Sequence, residues 1–169
     1  MIPSASLARE LLLYMLWSDR HLLSAVRPVS HDHLTRDAGV SFGSLLGTMS
    51  HMVAGQRIWL SRFLGTRLEP FPTAHDYPDL AAWIHGWEET AADLEAFLAM
   101  LTDEQLATEL TWTSTEGSTH TRPLWQPVLH LVNHASYHRG QAVSLLRQMG
   151  YAPPSTDLIY YFIERAAGA

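Results

Sequence analysis

Three histidines recur at intervals of four in the stretch Trp125-Gln-Pro-Val-Leu-His130-Leu-Val-Asn-His134-Ala-Ser-Tyr-His138-Arg-Gly-Gln141. In an α-helix, a step of four residues turns about 40° around the axis and rises about 6 Å. His130, His134 and His138 therefore share one stripe among leucines and valines. Adjacent members can hold one ion between them, whereas the outer two are about 12 Å apart and cannot. The helix thus offers a two-histidine clamp, either His130/His134 or His134/His138. Buried imidazoles are costly unless each ring nitrogen has a partner. A divalent cation meets that need for one nitrogen of each ring, and neutral imidazole suits Zn, Ni, Cu or Fe. A hydrogen-bonded ladder with Asn133 and Tyr137 is the alternative use of the same spacing. A metal site needs a further ligand from elsewhere in the chain.

The elements that must supply it are helical. Ser4 or Ser6 can cap a first helix running to Val26, with Leu7, Leu11, Leu12, Met15, Leu16, Leu22, Leu23 and Val26 on its apolar stripe. Pro28 stops it, and His31-Asp-His33 follows in what reads as a solvated loop. A second helix opens at Ser41, with Ser44 as a rival cap and Phe42 as a hydrophobic staple, and stops at Gly65. It carries His51 near its middle. Gly47 and Gly55 flank that histidine one turn away on either side, at a cost of about 1 kcal/mol each relative to alanine. Glycines there let another element or a ligand approach the imidazole.

A loop with prolines at 70, 72 and 78 leads to a third helix starting across Asp76–Asp79, with Pro78 in its first turn and an apolar stripe from Leu80 to Leu101. His85 lies beside that stripe, at the surface or boundary. Thr102-Asp-Glu-Gln105 reads as a capping box. Leu110–Ser114 and Ser118–Arg122 alternate with β-branched residues around Thr115-Glu-Gly117, a hairpin signal. A lone hairpin is marginal, so this one must lean on the helices. Thr121 can cap a fourth helix with Pro123 in its first turn, and Pro127 is tolerable only close to the start. That helix runs to Met149 and Gly150, and a short last helix opens at Ser155-Thr-Asp157. The expectation is an all-α chain, one domain over residues 1–169. Its architecture is an antiparallel four-helix bundle, with a small hairpin before the fourth helix and a short C-terminal helix. A bundle places mid-helix residues opposite one another, which brings His51 to two of the fourth-helix histidines.

Composition bounds the function. Lys+Arg of 11 against Asp+Glu of 17, a net charge of −6, argues against nucleic acid as a partner. No apolar run reaches the roughly 18 residues of a membrane span, and the N-terminus lacks a signal-peptide pattern. Cysteine is absent, which excludes thiolate ligands, disulfides and a cysteine nucleophile, and fits a cytoplasmic protein.

Gly47-Thr-Met-Ser-His51-Met, together with Asn133-His134-Ala-Ser-Tyr-His138-Arg-Gly-Gln141 and an early tryptophan-containing helix, resembles the DinB family, the damage-inducible, YfiT-like metalloenzymes. The resemblance spans essentially the whole chain. It implies a four-helix bundle, a homodimer, and a divalent metal, zinc or nickel foremost, held by His51, His134 and His138, with His130 one turn outside. Ala135 departs from the family, which often has Glu there. The resemblance also implies a small-molecule substrate and, in some relatives, thiol-dependent transfer or isomerisation using a low-molecular-weight thiol. Three neutral histidines leave an open coordination position, the arrangement of a catalytic site. Transfer from a thiol co-substrate ranks first, metal-dependent hydrolysis second, and a non-catalytic metal-binding stress-response module third. Direct DNA binding, suggested by the family's name, is disfavoured by the acidic balance. His130 and Tyr137 are candidates for orienting a ligand ring, and Arg139 for pairing with a substrate carboxylate. Because ligand histidines must be neutral, metal affinity is expected to fall below about pH 6.5.

Overall fold

The computed structural model describes residues 2–66, 70, 72–114 and 116–167. Helix α1 (Ala5–Val26) is capped by Ser4, whose hydroxyl accepts from the Leu7 amide. Its buried stripe includes Leu12, Met15, Leu16, Leu22, Leu23 and Val26, but Leu7 is 49% exposed and does not join it. His31 and His33 are not in a loop: Ser30 caps a short helix, α2 (His31–Thr35), by accepting from the His33 amide. The His33 ring is tied to the Tyr151 hydroxyl at 2.9 Å, so it serves packing between distant segments.

The second long helix, α3 (Leu45–Phe63), is capped by Ser44 rather than Ser41. The Ser44 hydroxyl accepts from the Gly47 amide, and Gly65, at φ 65°, closes the far end in the left-handed conformation. Residues 67–69 and 71 of the proline-bearing connection lie outside the described residues. A 3₁₀ turn, Ala74–Asp76, comes next. Helix α4 (Leu80–Met100) then starts at Asp79, whose carboxylate accepts from the Ala82 amide at 2.8 Å. Pro78 therefore precedes the cap instead of occupying the first turn. The expected capping box forms at α5 (Asp103–Ala107), with Thr102 and Gln105 bonded reciprocally.

Strands β1 (Glu109–Thr113) and β2 (Thr119–Pro123) pair antiparallel, placing Trp112 opposite His120. Thr115 of the connecting turn lies outside the described residues. Thr121 does not cap the next helix. It sits in β2, its hydroxyl bonded to that of Thr111 at 2.8 Å. Helix α6 (Trp125–Gln148) begins after Leu124 with no side-chain cap. Pro127 falls in the first turn, where the missing N–H has no helical partner to lose. Helix α7 (Leu158–Ala167) lies on α1 through Tyr161, its one buried residue.

The four long helices form the bundle: α6 and α4 each pack on both α1 and α3. One apolar cluster runs through all four, with Trp83, Leu94, Met15, Met49 and Leu146 at its centre. The hairpin leans on α3 and on the start of α6, as its marginal stability requires. No helix among the described residues is long and apolar enough to cross a membrane.

Candidate metal centre

The close packing of α3 on α6 sets His51 against the histidine stripe. Ring centroids lie 4.9 Å apart for His51–His134, 4.5 Å for His51–His138 and 4.4 Å for His134–His138. One nitrogen from each ring falls within 4.8 Å of the other two, and the set could hold a metal ion. His51 Nε2 and His134 Nε2 approach to 3.1 Å. Two nitrogens bound to one tetrahedral ion at about 2.0–2.1 Å are roughly 3.3 Å apart, so this spacing fits shared ligation with little movement. His138 Nδ1 meets Gln141 Oε1 at 2.8 Å. With the carboxamide oxygen as acceptor, the Nδ1-protonated tautomer of His138 satisfies this contact and keeps the Nε2 lone pair for an ion.

The two glycines of α3 have identifiable jobs. A Cβ at Gly55 would stand 3.0 Å from Cε1 of His134, and one at Gly47 would stand 2.0 Å from the Phe42 carbonyl oxygen. The first absence admits the His134 ring. The second lets the chain before α3 fold close, so that Phe42 stacks flat on His51 at 3.9 Å between centroids. Phe42 therefore walls the site instead of serving only as a staple.

Burial pushes the His51 imidazole down to about 4, with the neighbouring His138 adding to the effect. Burial likewise brings His134 down to about 4, helped by His138, His51 and His130. Both rings are therefore neutral near pH 7, the form that ligates. His130 is also lowered, by burial and then by Arg62. Its ring sits 5.7 Å from that of His134 and packs on Trp59, outside the three-histidine cluster.

Other expected residues are placed differently. Tyr137 is 64% exposed and only touches His138 edge-on. Arg139 is 2% exposed and donates to Asp19 Oδ1 at 3.0 Å, to the Tyr14 hydroxyl and to Ser136 Oγ. Its charge is committed to an internal pair with Asp19. Asp19 Oδ2 also accepts from Gln56 at 2.7 Å, which ties α1 to both helices that carry the histidines. Burial pushes the Asp19 carboxyl up against the opposing pull of Arg139. Ala135 is 1% exposed within the apolar cluster. One residue step turns a helix by about 100°, so position 135 faces away from the imidazole stripe.

Phe42's stacking, Gln141's bond and the Asp19 pair escaped the sequence reading. Of these, only Gln141 left a local signal, standing three residues after His138 on the same helix face. Beside the imidazoles lies a cleft of about 340 Å³, lined by His51, His134, Trp59, Arg62, Trp112 and His120, among others.

Three imidazoles from two helices of a bundle define a candidate metal centre. The model of the DinB family matches residues 1–166, and the chain belongs to that family. It is 25% identical to protein DinB of Bacillus subtilis (strain 168) over 168 residues, covering 96% of this chain and 98% of that protein. The crystal structure of a DinB-like protein from Bacillus cereus ATCC 10987 shares the fold. It has a TM-score of 0.72 and 22% identity, with 92% of this chain and 99% of that chain covered.

Proposed function

We propose that this protein is a metal-dependent enzyme in which His51, His134 and His138 hold a divalent ion, zinc or nickel, and a small molecule reacts in the adjoining cleft. The observation that carries this reading is the 3.1 Å approach of His51 Nε2 and His134 Nε2. Two partly buried rings aim nitrogens at one another, an arrangement that a shared cation satisfies better than a single hydrogen bond. A bound ion would supply the positive charge that acidifies a thiol or water drawn to it. No Asp or Glu among the described residues completes the cluster, which supports an open coordination position rather than a closed structural site.

We rank thiol-dependent transfer or isomerisation ahead of hydrolysis. The described residues lining the cleft include no carboxylate to serve as base for a hydrolytic water, although an imidazole can fill that role. A thiol has only to lose its proton, since the thiolate itself is the nucleophile. His130, neutral and close to His134, is available to take that proton. With no cysteine in the chain, the thiol arrives as a co-substrate.

The test is elemental analysis of protein purified without chelator, beside His51→Ala, His134→Ala and His138→Ala. Stoichiometric metal in the wild type and its loss in each variant is the expected result, and a metal-free wild type overturns the reading. A screen of small thiols with electrophiles, set against a panel of esters, follows. Turnover of esters alone would replace transfer by hydrolysis. Bound metal with neither activity would leave a metal-binding module.

A further inference from the structure

The cleft beside the imidazoles differs in charge from the chain as a whole. Acidic side chains outnumber basic ones by 17 to 11, yet the described residues that line this cavity include Arg62 and no acid. The Arg62 guanidinium lies 4.6 Å from the centre of the Trp59 ring and donates from one terminal nitrogen to the Thr113 carbonyl at 3.0 Å. Stacking and that bond fix the position of the group, while a guanidinium has five N–H donors in all. Trp112, carried by β1, meets Trp59 at 5.3 Å with the rings steeply inclined. The two indoles, each half-buried, make an apolar corner beside a fixed cation. A volume near 340 Å³ falls in the range of small-molecule pockets.

Resting on the metal-centre reading of the same site, we infer that its substrate is a small organic anion with a flat apolar body. The body packs in the corner of Trp59 and Trp112, and the carboxylate, sulfonate or similar group pairs with Arg62. Arg62 thereby selects the charge of the substrate and Trp112 its shape, while the imidazole cluster acts on the end that reaches it. The hairpin is the wall that supplies Trp112 and the carbonyl holding Arg62.

The probe is naphthalene-2-sulfonate, whose anionic group is a weak ligand for zinc, so that its binding reports the cleft and not the ion. Calorimetric titrations compare it with the neutral 2-naphthalenemethanol and with methanesulfonate, on chelator-treated and on zinc-loaded protein. The expected result is affinity for the aromatic sulfonate at least tenfold above that for either partial analogue, in both preparations. Arg62→Gln should bring the sulfonate to within about twofold of the alcohol, Arg62→Lys should keep part of the preference, and Trp112→Leu should weaken both aromatic probes. Equal affinity of wild type for sulfonate and alcohol overturns the inference, and so does an undiminished preference in a folded Arg62→Gln protein. The wild-type comparison decides even if that variant fails to fold. Zinc stoichiometry on the same samples separates the two readings: zinc without sulfonate preference removes this inference alone, and sulfonate preference without zinc removes the metal centre alone.

Discussion

Replacing Gly55 with alanine separates the site from the fold. The new Cβ would stand 3.0 Å from Cε1 and 3.4 Å from Nδ1 of His134, whereas ordinary contact begins at 3.4 Å. The imidazole must therefore retreat by about 0.4 Å. That displacement is larger than the roughly 0.2 Å spread of metal–ligand distances, so clearing the methyl group is expected to cost the ring part of its fit to an ion. Zinc affinity should fall about tenfold, or about 1.4 kcal/mol. Helix propensity acts in the opposite direction, because alanine is favoured over glycine in a helix interior by about 1 kcal/mol. The metal-free variant should therefore resist urea at least as well as the wild type. Competition against a chromophoric chelator measures the first quantity, and urea unfolding with chelator present measures the second. Wild-type zinc affinity in Gly55→Ala refutes the reasoning. A variant that loses both metal and stability refutes the attribution to crowding of the ring.

Gln141→Leu removes the acceptor from His138 Nδ1 and should weaken metal binding 10- to 100-fold with an unchanged helical circular-dichroism spectrum; unaltered affinity would mean that the bond does not orient the ring. Asp19→Ala strands a guanidinium that is 2% exposed and should cost about 3–5 kcal/mol in urea unfolding, with a loss below 1 kcal/mol counting against the pair. The metal-free protein should also lose stability on acidification. His51 and His134 titrate at about 4 when folded, against 6.5 for the free side chain, so the unfolded chain binds more protons between those values. Their contribution is full above about pH 6.5 and is lost as pH falls towards 4. Urea midpoints across that window should show the decline and a shallower one in His51→Ala and His134→Ala; identical slopes would refute the assignment. For these two rings, protons would compete with a metal near pH 4, below the 6.5 of the free side chain.

Periodicity and local chemistry carried most of the fold into the sequence. The apolar stripes (Leu7 apart), the capping box at Thr102 and the glycine stops at Gly65 and Gly150 depend on residues a few positions apart, and the structure has them where expected. Where two local signals competed, position alone did not decide. Ser44 takes the cap from Ser41, the third long helix is capped by Asp79 and leaves Pro78 outside, and Thr121 gives up capping for strand pairing. The three-histidine cluster was legible because spacing, flanking glycines and a family motif agreed. The buried pair of Arg139 was not legible for the opposite reason. A helical arginine is ordinarily solvated, and its partner, Asp19, stands 120 residues away. No pattern in either neighbourhood announces that pair.

His51 and His134 are separated by 83 positions in the chain. An ion shared between them would act as a cross-link closing a long loop, a tie that restricts the unfolded chain more than the two-histidine clamp within α6 could. Occupancy would then be a property of the assembled bundle, adding about 4 kcal/mol to its stability at a thousandfold excess over the dissociation constant. A peptide of α6 alone, with its histidines correctly spaced, would forfeit that gain.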